Sequence, residues 1–174
     1  MPTPEVTLRP IEDADLAFLR QLYGTTRAHE LEHTGWDHAT RERFVDQQFQ
    51  AQRSYYQAHY ADAEQYVIEA SGQPIGRAYL LWADTHLQII DLALLPEACG
   101  RGIGGELLGR FLERVDREGL SAGLHVESYN PAQRLYFRHG FEVVGENGVY
   151  LKLRRNPRGQ QAAATPSLRP AMQS

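Results

Sequence analysis

Four glycines fall within six residues at Gly100-Arg101-Gly102-Ile103-Gly104-Gly105. Glycine leaves backbone N–H groups unscreened by any Cβ. An apolar helical pattern follows at once, carried by Ile103, Leu107, Leu108, Phe111, Leu112 and Val115. A glycine-rich turn that feeds a helix N-terminus gathers N–H dipoles on one side, where an anion such as a pyrophosphate is stabilised. Arg101 adds a formal charge to that cradle. Lys152 is the only lysine in the chain, so a phosphate turn of the form G-x-x-x-x-G-K is excluded.

Two other patterns fail on closer reading. His29-Glu30-Leu31-Glu32-His33 places two imidazoles one helical turn apart, as a zinc helix would. His38 comes one residue too early for a third ligand, and the only methionines are Met1 and Met172, so no metal is expected. The glycines also satisfy G-x-G-x-x-G, with Glu127 about where a ribose ligand would stand. Yet Pro96-Glu97-Ala98-Cys99 separates them from the preceding strand, and a dinucleotide fold needs several βαβ units where this chain offers one. Groups suited to moving a proton are Asp91, isolated in an apolar run, and Glu127 with His125 on one face of a strand pattern.

These residues need elements to hold them. Residues 6–9 read as a strand closed by Pro10, and Asp13 or Asp15 can cap a helix bearing Leu16, Leu19, Leu22 and Tyr23. Residues 24–39 are mixed, and a helix follows over 40–60 with Val45, Phe49, Tyr56 and Tyr60. The period then shortens: 65–70 and 75–82 are strands around Ser71-Gly72-Gln73-Pro74, and 86–95 is a third. The helix behind the glycines ends near Gly119, and 120–127 is a strand. Asn130-Pro131 opens a further helix that Gly140 stops. Residues 141–144 and 149–153 close the chain as a hairpin around 145–148. This order is α+β with one βαβ connection.

Composition sets the outer limits. The chain has 174 residues, 42% hydrophobic and 23% charged, which suits one soluble domain over 5–155. Residues 156–174 carry little apolar content and read as a disordered tail. A net charge of −4 leaves no nucleic-acid footprint, and no apolar run is long enough to span a membrane. One cysteine precludes an internal disulfide, and Met1-Pro2-Thr3-Pro4-Glu5 is no secretory signal, so a cytoplasmic location is expected.

Pro96-Glu97-Ala98-Cys99-Gly100-Arg101-Gly102-Ile103-Gly104, leading into Glu106-Leu107-Leu108, resembles the signature of the GCN5-related N-acetyltransferases. Asn130-Pro131-Ala132, Leu135-Tyr136 and Gly140-Phe141 resemble the second motif of that family. The resemblance implies a mostly antiparallel sheet of six to seven strands flanked by about four helices. It implies acetyl-CoA as co-substrate, and transfer of its acetyl group to a primary amine by direct attack on the thioester. On it, the loop of Cys99, Gly100, Arg101, Gly102, Ile103, Gly104 and Gly105 would hold the pyrophosphate. Leu92, Ala93 and Leu94 would pair with the pantetheine arm, Asn130 would contact the coenzyme, and Tyr136 would both contact it and protonate the departing thiolate.

Two positions depart from the family pattern. Cys99 stands where Gln or Arg is usual; beside a helix N-terminus its thiol is either an acidified nucleophile or a small filler of the loop. Gln88 stands where a base is frequent, which leaves the base open between Asp91 and Glu127. Asp91 can equally be the partner of a buried arginine. The family places acceptor specificity in 24–39, here with Glu30, Glu32, Trp36 and Asp37, and in 145–148. The acceptor would be a small-molecule or peptide amine, and the closing strands offer a surface for a homodimer. A catalytically silent acyl-CoA-binding module is the alternative reading.

Overall fold

The structure is a computed structural model that describes residues 5–158. Its strands are β1 (Val6–Pro10), β2 (Glu64–Ala70), β3 (Gln73–Trp82), β4 (His86–Leu94), β5 (Ser121–Glu127), β6 (Glu142–Asn147) and β7 (Tyr150–Arg155). Its helices are α1 (Leu16–Glu32), α2 (His38–His59), α3 (Ile103–Glu118) and α4 (Gln133–Arg138). The seven strands form one sheet in the order β1-β2-β3-β4-β5-β7-β6. β4 and β5 run parallel across α3, whereas β1–β2, β2–β3, β5–β7 and β6–β7 are antiparallel. The α+β class and the single βαβ connection expected from the sequence are both present. The tail expected over 156–174 lies, from residue 159 onward, outside the described residues.

The described chain divides into two compact units. The first runs through Leu81 and includes Asp91–Ile103. Leu19, Tyr23, Leu31, Val45 and Phe49 bury their side chains together between α1 and α2. α1 does not end near Tyr23 but continues to Glu32, through half of the stretch expected to be mixed. Leu31 explains the extension, because it carries the apolar face of Leu19 and Tyr23 two turns further into the same cluster. Burying a leucine contributes about 2 kcal/mol, which exceeds the ~1 kcal/mol that Gly24 costs inside a helix. α2 starts at His38 because Asp37 caps it, its carboxylate accepting from the Thr40 N–H at 2.8 Å.

The second unit holds Trp82–Ile90 and the described chain from Gly104. Leu107, Leu108, Phe111, Leu112 and Val115 are the buried face of α3, as their spacing predicts. α4 begins at Gln133, after a turn at Pro131 and Ala132, rather than at Pro131 itself. The closing hairpin is longer than expected: Gly145 lies inside β6 at a register shift, and the chain reverses at Gly148, φ 63°. At the end of β7, Arg155 is buried and donates to both carboxylate oxygens of Asp116 at 2.8 and 3.1 Å. Its Nε donates to the His139 carbonyl at 2.8 Å, so one side chain joins the last strand to α3 and to the end of α4.

Candidate functional site

The register between β4 and β5 covers four pairs, from His86↔Ser121 to Ile89↔Leu124, and β4 continues to Leu94. Within the first unit, three successive residues of β3 hold that continuation. The Leu95 N–H donates to the Ile75 carbonyl at 2.8 Å. A Cβ built on Gly76 would lie 2.3 Å from the Ala93 carbonyl oxygen and 2.8 Å from Leu94 Cδ2, so only glycine permits this approach. Arg77 Nε donates to Asp91 Oδ2, and Arg77 Nη2 donates to Gln52 Oε1 on α2 at 2.7 Å.

Arg77 is 2% exposed, and its guanidinium lies 5.0 Å from the ring centroid of Tyr79. Its Nη1 has no hydrogen-bond partner among the described residues. Of the two readings open for Asp91, the arginine pair is therefore realised, with 23% of the Asp91 side chain still exposed. Burial pushes the Tyr56 and Tyr79 hydroxyls above their ordinary values, and the Asp91 charge adds to this. Both phenols stay protonated through the physiological range. Gly76 and Arg77 escape a reading by motif. The single signal was a glycine and an arginine interrupting an otherwise apolar strand.

After β4 the chain makes a 3-10 turn at Pro96–Ala98, Cys99 is extended, and Gly100 and Gly102 take φ of 76° and 81°. A Cβ on either glycine would meet no atom within 4 Å, so it is the backbone angle and not crowding that demands glycine here. Positive φ on both sides of Arg101 gives the turn the alternating handedness that converges successive N–H groups. α3 begins at Ile103, so Gly104 and Gly105 belong to its first turn, whose N–H groups lack intrahelical acceptors. Cys99 Sγ lies 3.5 Å from the Leu95 carbonyl. Burial and Glu97 push its thiol up, and the residue as a whole is exposed.

In the second unit, Glu127 ends β5 and is joined to Asn130. Asn130 Nδ2 donates to Glu127 Oε1 at 3.0 Å, while Asn130 Oδ1 accepts from the Ala132 N–H at 2.8 Å. The asparagine expected to meet the coenzyme thus directs both ends of its amide into its own turn. His125 is exposed two residues before Glu127, on the same face of the strand. Tyr136 is 5% exposed and packs edge-to-face on Phe141 at 5.7 Å. Gln88 accepts no proton here either; its Oε1 lies 3.0 Å from Nε2 of His86.

The region expected to choose the acceptor spans the end of α1 and the start of α2. Glu30 lies on α1, paired with Arg27 at 2.9 Å, Asp37 is the α2 cap, and Trp36 packs edge-on to Phe44 at 5.3 Å. Glu32 lines an open groove of about 570 Å³ between α1 and α2, beside His38 and Arg41. His29 and His33 stand edge to face at 5.2 Å, and among the described residues no group of three or more His, Cys, Asp or Glu is gathered as for a metal. No helix of the described residues is long and apolar enough to cross a membrane.

The profile of the Acetyltransferase (GNAT) family matches residues 25–141. A mycothiol acetyltransferase of Brachybacterium faecium is 38% identical over 78 residues, which are 44% of this chain and 23% of that protein. The aligned span is thus under a quarter of that relative's length. Among solved structures, the PaiA N-acetyltransferase of Thermoplasma acidophilum in complex with coenzyme A has a TM-score of 0.66 at 18% identity, covering 87% of this chain and 99% of that one. A chimera of the spermidine N-acetyltransferase SpeG from Vibrio cholerae and hSSAT gives 0.59 at 23% identity, covering 87% and 95%. Both structural likenesses are likenesses of fold.

Proposed function

Because this chain belongs to the acetyltransferase (GNAT) family, we propose that it transfers the acetyl group of acetyl-CoA to a primary amine by direct attack of the amine nitrogen on the thioester. The observation that carries this reading is the turn after β4, with positive φ at Gly100 and Gly102 immediately ahead of α3. Those residues suit a pyrophosphate: unscreened N–H groups, open space where side chains would stand, and the charge of Arg101. Cys99, Gly100, Arg101, Gly102, Ile103, Gly104 and Gly105 would hold it. The main chain of Leu92, Ala93 and Leu94, past the last register pair with β5, would take the pantetheine arm as an added strand.

Bound acetyl-CoA supplies an acyl group activated as a thioester. The chain's own part is to orient it and to move two protons. A main-chain N–H of the 92–94 segment donates to the thioester oxygen as negative charge gathers there. As the nitrogen–carbon bond forms and the carbon–sulfur bond breaks, one proton leaves nitrogen and one reaches sulfur. Tyr136 supplies the second. Glu127 accepts the first, held by Asn130 through Oε1; Asp91 is the other candidate base, with Oδ2 engaged by Arg77. A coenzyme contact from Asn130 would have to share or replace that bond to Glu127.

A specific observation favours the second reading, a silent acyl-CoA-binding module: Gln88 stands at the family's frequent base position and Asp91 is tied to Arg77. One experiment separates the two. Release of free coenzyme A thiol from acetyl-CoA is followed across amines that include spermidine, amino acids and peptide N-termini, alongside calorimetric binding of coenzyme A. Amine-dependent release supports the transferase. Binding without release from any amine supports the module.

A further inference from the structure

We propose that Arg77 is a positioning residue for acyl transfer, setting the course of the Leu92–Leu94 main chain through its bond to Asp91. The inference rests on the acyl-transfer reading above. Ile75, Gly76 and Arg77 are consecutive on β3, and each holds a different point at the end of β4: Leu95 by its N–H, Ala93 and Leu94 by close backbone approach, Asp91 by its carboxylate. β2 and β3 shift register between Ile68 and Glu69, the partners of Gly76 and Pro74, so β3 is irregular where this grip occurs. Gln52 on α2 accepts from Nη2, the neighbouring donor of the same guanidinium.

The pair makes little sense as a source of stability. A buried ion pair roughly breaks even against apolar residues of like volume, and this one also leaves Nη1 unbonded. What a buried, directional pair does supply is a fixed geometry. It stands one residue before the segment whose N–H groups must meet the thioester, where displacement by about 1 Å costs on the order of 100-fold in rate.

The test uses the full chain, with Arg77→Met, Asp91→Asn, Arg77→Lys and the double variant Arg77→Met/Asp91→Leu, which removes both charges together. Melting temperature, calorimetric coenzyme A binding and steady-state kinetics are read for each. The double variant is expected to melt no lower than the wild type, while coenzyme A binding weakens and kcat falls about 100-fold. Arg77→Met, which keeps the carboxylate, is expected to lose as much kcat as Asp91→Asn, and Arg77→Lys to recover part of it. Full kcat in Arg77→Met with loss in Asp91→Asn would make Asp91 a base and overturn the proposal. Parallel loss of melting temperature, binding and kcat in the double variant would overturn it too. If the wild type acetylates no amine, the acyl-transfer reading has failed by itself. Amide exchange then remains: faster exchange at Leu92–Leu94 in the double variant upholds the positioning, and unchanged exchange refutes it.

Discussion

Tyr136 illustrates how far a single side chain can be read. Its place in the motif is the ground for proposing it as the proton donor to sulfur, and the structure shows it buried against Phe141. Tyr136→Phe keeps the packing and removes the proton. The expected result is a fall in kcat of about 100-fold, and retention of full kcat across pH would remove Tyr136 from the chemistry. Cys99 gives a second measurement. With its thiol pushed up by burial and Glu97, less thiolate is present at neutral pH than for a free cysteine. Alkylation by iodoacetamide is expected to be slow, with a rate midpoint above ~8.5, and to slow further under saturating acetyl-CoA. The loop glycines were readable because the turn they form is local, written in consecutive residues. Arg77 was not, because its partners lie 14 and 25 residues away and only the folded sheet brings them together.

The strands and helices were mostly legible where one period ran without interruption. The 103–115 stripe became α3, and the alternation of 86–95 became β4. The helix misreading has a packing cause: a local breaker was outweighed by burial. Gly24 looks like a helix end, but its neighbours bury Leu31, and α1 continues. Asp37 looks like an acceptor-binding acid and is a cap. Gly76 is the converse, an ordinary strand glycine by sequence that the backbone of β4 makes obligatory. Gly76→Ala is expected to destabilise by about 1–3 kcal/mol through overpacking and to weaken coenzyme A binding, because the atom it meets is the carbonyl of Ala93. Chemical denaturation and calorimetry check both parts. Gly24→Ala is the control, since its Cβ would make an ordinary 3.6 Å contact with Val45 and is expected to leave stability unchanged or improve it.

Several carboxylates give stability a common pH dependence. Arg9 holds Asp15 below the usual carboxylate range, and Arg155 does the same to Asp116. Because the folded values are depressed, this stabilisation is complete above the unfolded value near ~4 and fades as pH falls through the folded one. Urea midpoints are therefore expected to hold between pH 7 and 5 and to drop by pH 3. Arg155→Met should lower the unfolding free energy at pH 7 by about 2 kcal/mol, the scale of lost charge-assisted hydrogen bonds, and shrink the further drop on acidification. An unchanged pH slope in that variant would show that the Asp116 pair is not what acid disrupts.

The order β5-β7-β6 also fixes a sequence in time. β7 is synthesised after both β5 and β6, yet it lies between them and pairs with each. Until Tyr150–Arg155 leaves the ribosome, β5 has an open edge, β6 has no neighbour in the sheet, and Asp116 lacks its arginine. A nascent chain halted before that point would present unpaired strand edges to its surroundings and would depend on chaperones to keep them apart. Arg155, the final residue of β7, would then bring Asp116 its partner as it arrives.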